Sequence, residues 1–212
     1  MALKRFFILE KRLEQDPELK RQYAEFMEDY ERLGHCEEVK EGDDPEGVKW
    51  YLPHHAILRP SNTTTKCRVV FDASAKVKGL SLNDIMMIGS LNQCNLDEIA
   101  LRFRFPRYVL TTDVAKMYHQ VILEKEHRRL QRIFFRLNPS DPLRVLELKT
   151  VTYGTALAPF LATRVMLPLA LDDEDKYPAA EIVKRCFYVD NALFDFDDLD
   201  EAHEAQLQLI QR

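Results

Sequence analysis

The order of segments along this 212-residue chain predicts an α+β fold. Three observations carry that expectation. Two amphipathic helical segments open the chain. A series of short β-type runs follows, each bounded by turn residues. Helical patterns are interleaved among those runs without a regular strand–helix alternation. Apolar residues make up 46% of the chain, enough to build a core, and the length suits one large domain or two small ones.

Residues 2–33 read as helical. Within them Asp16-Pro17-Glu18 marks a helix start, because Asp caps and Pro sits where its missing N–H costs nothing. Leu19, Tyr23, Phe26, Met27, Tyr30 and Leu33 then form one apolar stripe at steps of three and four, and Gly34 is placed to cap the C-terminal end. This reads as an N-terminal helical segment over residues 1–40. Residues 37–49 are acidic and carry Gly42, Pro45 and Gly47, the mark of a loop. A second domain is expected over residues 48–212.

Extended runs are predicted at 50–58 and at 67–72, where Val69-Val70 favours a strand. Lys78-Gly79 marks a turn, and residues 93–103 read as a helix. Residues 108–113 form a β-type run that ends in a carboxylate. Further strands are expected at 119–123, 130–136 and 145–151. Residues 159–171 read as a helix that Pro168 should kink. An acidic hairpin is expected at 184–196 and a final helix at 201–211.

The formal net charge of −5 argues against a nucleic-acid binder taken as a whole, although a local basic stripe escapes that average. Cys36, Cys67, Cys94 and Cys186 are far apart and include no Cys-x-x-Cys pair, so they read as reduced thiols. The start lacks a signal-peptide apolar region, and no apolar run approaches the roughly 20 residues that cross a bilayer. These features predict a soluble protein, cytoplasmic or nuclear, that is not secreted and meets no membrane.

The run Phe187-Tyr188-Val189-Asp190-Asn191-Ala192-Leu193-Phe194 carries the most chemistry. Two apolar arms flank a polar pair, and Asp190-Asn191 is expected at the tight turn because both residue types tolerate positive φ. Asp113 ends the strand Tyr-Val-Leu-Thr-Thr-Asp. If the two strands are neighbours, the carboxylates of Asp113 and Asp190 meet at one sheet edge, the arrangement that phosphoryl and nucleotidyl transfer require of a two-metal site. On spacing alone the other reading stands open, with each Asp capping a turn.

Six boxes appear in order: Tyr51-Leu52-Pro53-His54-His55; Thr63 to Ser74, with Lys66-Cys67-Arg68 inside it; Leu80-Ser81-Leu82-Asn83-Asp84; Thr112-Asp113-Val114-Ala115-Lys116-Met117-Tyr118; Val151-Thr152-Tyr153-Gly154 through Phe160; and Phe187-Tyr188-Val189-Asp190. Together they resemble the reverse transcriptase of Pao/BEL-type LTR retrotransposons, and the last resembles the Tyr-x-Asp-Asp box of reverse transcriptases.

The resemblance implies an RNA-directed DNA polymerase of right-hand form. It would comprise fingers and a palm with an antiparallel sheet, after an N-terminal helical segment, with the thumb absent. It implies catalytic roles for Asp113, Asp190 and Asn191, with two Mg²⁺ or Mn²⁺ ions held by Asp113, Asp190 and the Val114 carbonyl. Lys66 and Arg68 would meet the triphosphate of an incoming deoxynucleotide. Tyr118 would exclude a 2′-hydroxyl, Tyr153 and Gly154 would form the platform for template and nucleotide, and Gln120 would line the pocket floor.

The implied partners are an RNA or DNA template with its primer and deoxynucleoside triphosphates. Arg102, Arg104 and Arg107, interleaved with Phe103, Phe105 and Tyr108, would follow a phosphate backbone; the other reading is a solvated charged face. A second basic cluster gathers Lys125, Arg128, Arg129, Arg132 and Arg136, while Asp195, Asp197, Asp198 and Asp200 read as a solvated acidic loop.

Asn191 departs from the family, which has a second Asp there. An amide keeps a carbonyl ligand but loses the charge that Mg²⁺ favours, so activity is expected to be impaired. The alternative function is a non-catalytic remnant that binds nucleic acid or protein.

Overall fold

The computed structural model describes residues 1–40, 42, 46–58, 67–90, 93–172 and 180–210. The chain opens with α1 (Ala2–Gln15), α2 (Pro17–Arg32), β1 (Cys36–Glu38), β2 (His54–Leu58) and β3 (Cys67–Phe71). Next come α3 (Leu82–Ile85), α4 (Leu96–Arg102), β4 (Tyr108–Asp113), a 3₁₀ turn (Met117–Gln120), α5 (Lys125–Arg128), β5 (Arg132–Phe135) and β6 (Arg144–Leu148). The last elements are α6 (Ala158–Asp172), α7 (Ala180–Arg185), β7 (Phe187–Tyr188), β8 (Asn191–Phe196) and α8 (Leu199–Ile210). They form two compact units, Met1–Met87 with Tyr118–Ala158, and Ile88–Met117 with Pro159–Arg212.

In the first unit the α1–α2 boundary follows from local chemistry. The Asp16 carboxylate accepts the Leu19 amide at 3.0 Å, and Pro17 opens α2. Gly34 has φ 76° and closes α2: its amide donates to the Glu31 carbonyl and that of His35 to the Tyr30 carbonyl, a Schellman pair. Leu19, Tyr23, Met27 and Tyr30 are buried as the stripe predicts, but Leu33, at the cap, is exposed.

The helices share one core with two antiparallel sheets, ordered β1-β6-β5 and β2-β3. Ile133, Leu146, Leu148, Val69 and Phe71 supply the sheet side of that core. Residues 119–123 do not form the expected strand. Lys116 turns the chain with φ 51°, Met117 and Tyr118 are buried in the 3₁₀ turn, and pairing is left to a single bridge from Ile122 to Thr150.

The second unit holds a three-stranded antiparallel sheet, ordered β4-β8-β7. Phe187, Ala192 and Phe194 are buried on it with Ile182 of α7 and Ala205 of α8. Residues 184 and 185, expected in the hairpin, close α7 instead. Asp198 caps α8 by accepting the amides of Asp200 and Glu201. The helix α6 continues through Pro168 to Asp172. No described helix is long and apolar enough to cross a membrane. All four cysteines are free, and burial pushes the Cys36 thiol up to about 12.

Two buried polar groups in the first unit set measurable consequences. His54 is buried with its Nε2 2.8 Å from the Tyr23 hydroxyl. Burial, helped by His55, pushes its pKa down to about 3. The folded chain therefore excludes a proton that the unfolded chain takes up below about 6.5, so stability present above that pH is lost as pH falls from 6.5 toward 3. The loss is about 1.4 kcal/mol per pH unit. Urea unfolding of the parent should lose roughly 2 kcal/mol more between pH 7 and pH 5 than unfolding of His54→Gln. Parallel pH profiles for the two proteins would refute the assignment.

Arg132 is 1% exposed and pairs with Glu147, Nη2 to Oε1 at 2.6 Å and Nε to Oε1 at 2.7 Å. Removing one partner of a buried pair leaves an uncompensated charge. Glu147→Gln should destabilise the protein by about 3–5 kcal/mol in the same assay, whereas Asp29→Asn, which loses an exposed pair with Arg32, should cost about 1 kcal/mol or less.

Candidate functional site

The hairpin of β7 and β8 is built by period-two burial. Phe187 pairs with Ala192 and Tyr188 with Asn191, so Val189 and Asp190 are the two loop residues. The expected Asp190-Asn191 turn is therefore displaced by one residue. Phe187, Ala192 and Phe194 must share the buried face, and a one-residue slip would turn that set outward. Asn191 opens β8, while Val189 takes the positive φ, 58°. Positive φ at the first loop residue alone is the type II′ pattern that normally calls for Gly. The Val189 amide donates to the Gln93 side-chain carbonyl at 3.0 Å.

β4 lies against β8 with Asp113 opposite Asn191. One residue on, the Val114 amide donates to the Asp190 carbonyl at 2.8 Å. Asp113, Val114, Asp190 and Asn191 therefore meet at one end of the sheet, with Asp113 exposed and Asp190 half-buried. The Asn191 side-chain amide donates to Asp190 Oδ1 at 2.8 Å. The Val114 carbonyl accepts the Met117 amide at 3.2 Å, which leaves it one further lone pair.

Among the described residues no group of three or more His, Cys, Asp or Glu is disposed to hold a metal. Two carboxylates and a main-chain carbonyl are nonetheless hard oxygen donors. Mg²⁺ commonly takes one or two carboxylates and completes its shell with waters and substrate phosphates, so this donor set fits it. Beside these residues a cavity of about 550 Å³ is lined by Leu110, Asp113, Met166, Phe194 and Leu209 among others. Its largely apolar wall suits an aliphatic group, not a triphosphate.

Of the other predicted residues, Arg68, Tyr118, Gln120, Tyr153 and Gly154 lie in the first unit, and Arg102, Arg104 and Arg107 in the second. Lys66 falls outside the described residues. Arg68 is exposed on β3, opposite Ile57. Tyr118 is 8% exposed, and its ring meets that of Tyr153 edge-on at 4.5 Å. Gln120 is exposed at the end of the 3₁₀ turn. Gly154 has φ 99°, and a Cβ there would stand 2.3 Å from the Phe71 carbonyl oxygen.

Asn83 stands in one of the six boxes with no role of its own assigned from the sequence, yet its side chain brackets this loop. It donates to the Gly154 carbonyl at 3.0 Å and accepts the Ala156 amide at 2.8 Å. The capping box of α3, Ser81 with Asp84, fixes the helix that carries it. That Ser-x-x-Asp spacing was the available signal for the helix; the loop it reaches is 71 residues away.

The arginines divide by role. Arg104 and Arg107 are exposed, and the Arg107 guanidinium lies 5.6 Å from the centre of the Tyr108 ring. Arg102 instead donates to the Arg185 carbonyl at 2.6 Å. In the second cluster Arg128, Arg132 and Arg136 pair with Glu37, Glu147 and Glu10. Asp195 is not in a solvated loop: it lies in β8 opposite Val109, where burial raises its carboxyl pKa.

Gly154→Ala should destabilise the protein by about 1–3 kcal/mol through the strained φ alone, with the Phe71 clash added to it. A thermal melt within one degree of the parent would show that the loop relaxes freely.

No protein-family model matches the sequence, and no curated protein matches it significantly. Among solved structures the chain is similar to the crystal structure of prototype foamy virus protease–reverse transcriptase (CSH mutant, selenomethionine-labelled), with a TM-score of 0.68 and 16% identity. The match covers 92% of this chain and 22% of that one. At this identity the likeness establishes a reverse-transcriptase-like fold.

Proposed function

We propose that this chain carries the fingers and palm of a retrotransposon reverse transcriptase of Pao/BEL type. It would be an RNA-directed DNA polymerase that uses two Mg²⁺ or Mn²⁺ ions. The observation that carries this reading is the register of β4 against β8, which sets Asp113 opposite Asn191 and beside Asp190 on a reverse-transcriptase-like fold. In the proposed reaction a primer 3′-hydroxyl loses its proton to solvent, its oxygen bonds to the α-phosphorus of a deoxynucleoside triphosphate, the α–β phosphoanhydride bond breaks and pyrophosphate leaves.

Asp113, Asp190 and the Val114 carbonyl would hold the metal. When bound, it offsets the charge that builds on the phosphate oxygens. Lys66 and Arg68 would steady the triphosphate, Tyr118 would reject ribose, and Tyr153 with Gly154 would support the nascent base pair. Arg104 and Arg107 are the exposed cations of their cluster and would follow template or primer phosphates; Arg102 would contribute to that face through its carbonyl contact.

Asn191 supports a second reading, a non-catalytic nucleic-acid-binding remnant. Its amide not only lacks charge but donates to Asp190 Oδ1, a lone pair a metal would otherwise use. Primer extension on poly(rA)·oligo(dT) separates the two readings, with the parent, Asn191→Asp and Asp113→Ala compared. The polymerase reading expects Asn191→Asp to exceed the parent by about 100- to 1,000-fold, or roughly 2.7–4.1 kcal/mol of barrier, and Asp113→Ala to be silent. If all three are silent while primer–template binding persists without metal and falls on Arg104→Glu/Arg107→Glu, the binding reading replaces it.

A further inference from the structure

The turn that carries Asp190 is held in a conformation its own residues do not favour. Val189 is β-branched, and φ 58° is a region that such residues avoid. Strain of this kind persists only where surrounding contacts over-determine it. On one side of the turn, the Asp190 carbonyl accepts the Val114 amide at 2.8 Å. On the other, the Val189 amide requires an acceptor beyond the two-residue loop, and Gln93 Oε1 supplies it at 3.0 Å.

Gln93 lines one small cavity together with Thr163 and Met166 of α6, Val183 and Lys184 of α7, and Phe187 of β7. The next residue, Cys94, donates from its thiol to the Lys184 carbonyl at 3.9 Å, so the segment before α4 is tied to the same corner. α4 in turn packs against β7. The glutamine thus stands beside the corner that Cys94 ties down, and its carbonyl oxygen meets the strained residue immediately before Asp190.

We infer that Gln93 is a positioning residue for Asp190: it clamps the Val189 amide, keeps the strained turn in one conformation, and so fixes where the carboxylate stands relative to Asp113. The positioning role in turnover rests on the polymerase reading. The clamp on the turn does not, and the two are measured separately.

The test uses the full chain with Gln93→Ala, Gln93→Glu and Gln93→Ala/Val189→Gly. Glu keeps an acceptor for the Val189 amide, and Gly adopts positive φ without help. Amide hydrogen exchange of the 187–192 segment reads the clamp. Gln93→Ala should speed exchange at Val189 by about tenfold or more while α8 and the first unit keep parent protection, and Glu should restore the parent rate. Unchanged exchange at Val189, or protection lost throughout the chain, overturns the clamp.

Primer extension, in whichever of the parent and Asn191→Asp backgrounds extends primers, reads the positioning. Gln93→Ala should lower kcat by about tenfold, equivalent to ~1.4 kcal/mol, with KM for the deoxynucleotide held within about twofold. Gln93→Glu and the double variant should recover it. Faster exchange with an unchanged kcat would overturn the positioning role. If neither background extends primers, the polymerase reading has failed and the exchange data alone decide the clamp.

Discussion

Period-two burial in β8 is the constraint from which the site follows. Ala192 and Phe194 face the core, and the antiparallel ladder to β4 is then fixed residue by residue from Tyr108 opposite Phe196 to Asp113 opposite Asn191. The same burial sets the partner strand, because Phe187 must share the face of Ala192. With both registers set, the loop has two residues and no freedom over which two they are. Asp190 stands at the tip because the core beneath it allows no other alignment. A change in the hydrophobic pattern of β8 would displace the carboxylates without touching either one.

Local signals in the sequence reach the parts of the fold that local chemistry decides. Asp16, Pro17 and Gly34 mark the bounds of α2, and residues 108–113 form the strand expected of them. The pairing of Asp113 with the hairpin was not legible from spacing, which left each Asp free to cap a turn; only the resemblance of the ordered boxes placed the two strands together, and β4 does pair with β8. The exact turn was not legible. Asp-Asn is the better turn pair by propensity, but the burial of Phe187, Ala192 and Phe194 outweighs it and forces Val189 into the position Gly would prefer. The strand expected at 119–123 was lost for a similar reason, because burying Met117 and Tyr118 takes the chain through a 3₁₀ turn.

Long-range side-chain contacts were beyond the sequence altogether. Asn83 meets a loop 71 residues away and Gln93 a turn 96 residues away. Both are neutral amides, so neither leaves a charge pattern or a spacing rule. Basic residues posed the opposite problem, since a visible run of charge concealed different fates. Arg132 is buried against Glu147 and Arg136 meets Glu10, so those charges stabilise the first unit and are not offered to a partner. Arg104 and Arg107 remain exposed, and a net charge of −5 is compatible with their forming a small local patch.

Asn191 and Val189 together describe a site under two different pressures. Backbone strain at Val189 costs stability and is kept by contacts on both sides of the turn, which is the behaviour expected where a fold holds a functional geometry. The amide of Asn191 acts in the other direction: it satisfies Asp190 locally with a hydrogen bond at 2.8 Å and removes one negative charge from the sheet edge. A carboxylate at that position would face Asp190 and Asp113 as like charges, an arrangement that is costly until a cation offsets it. Asn therefore relieves electrostatic repulsion at an edge whose backbone remains strained. The backbone holds Asp113, Asp190 and Asn191 at one sheet edge, while the side chain at position 191 reduces the negative charge gathered there.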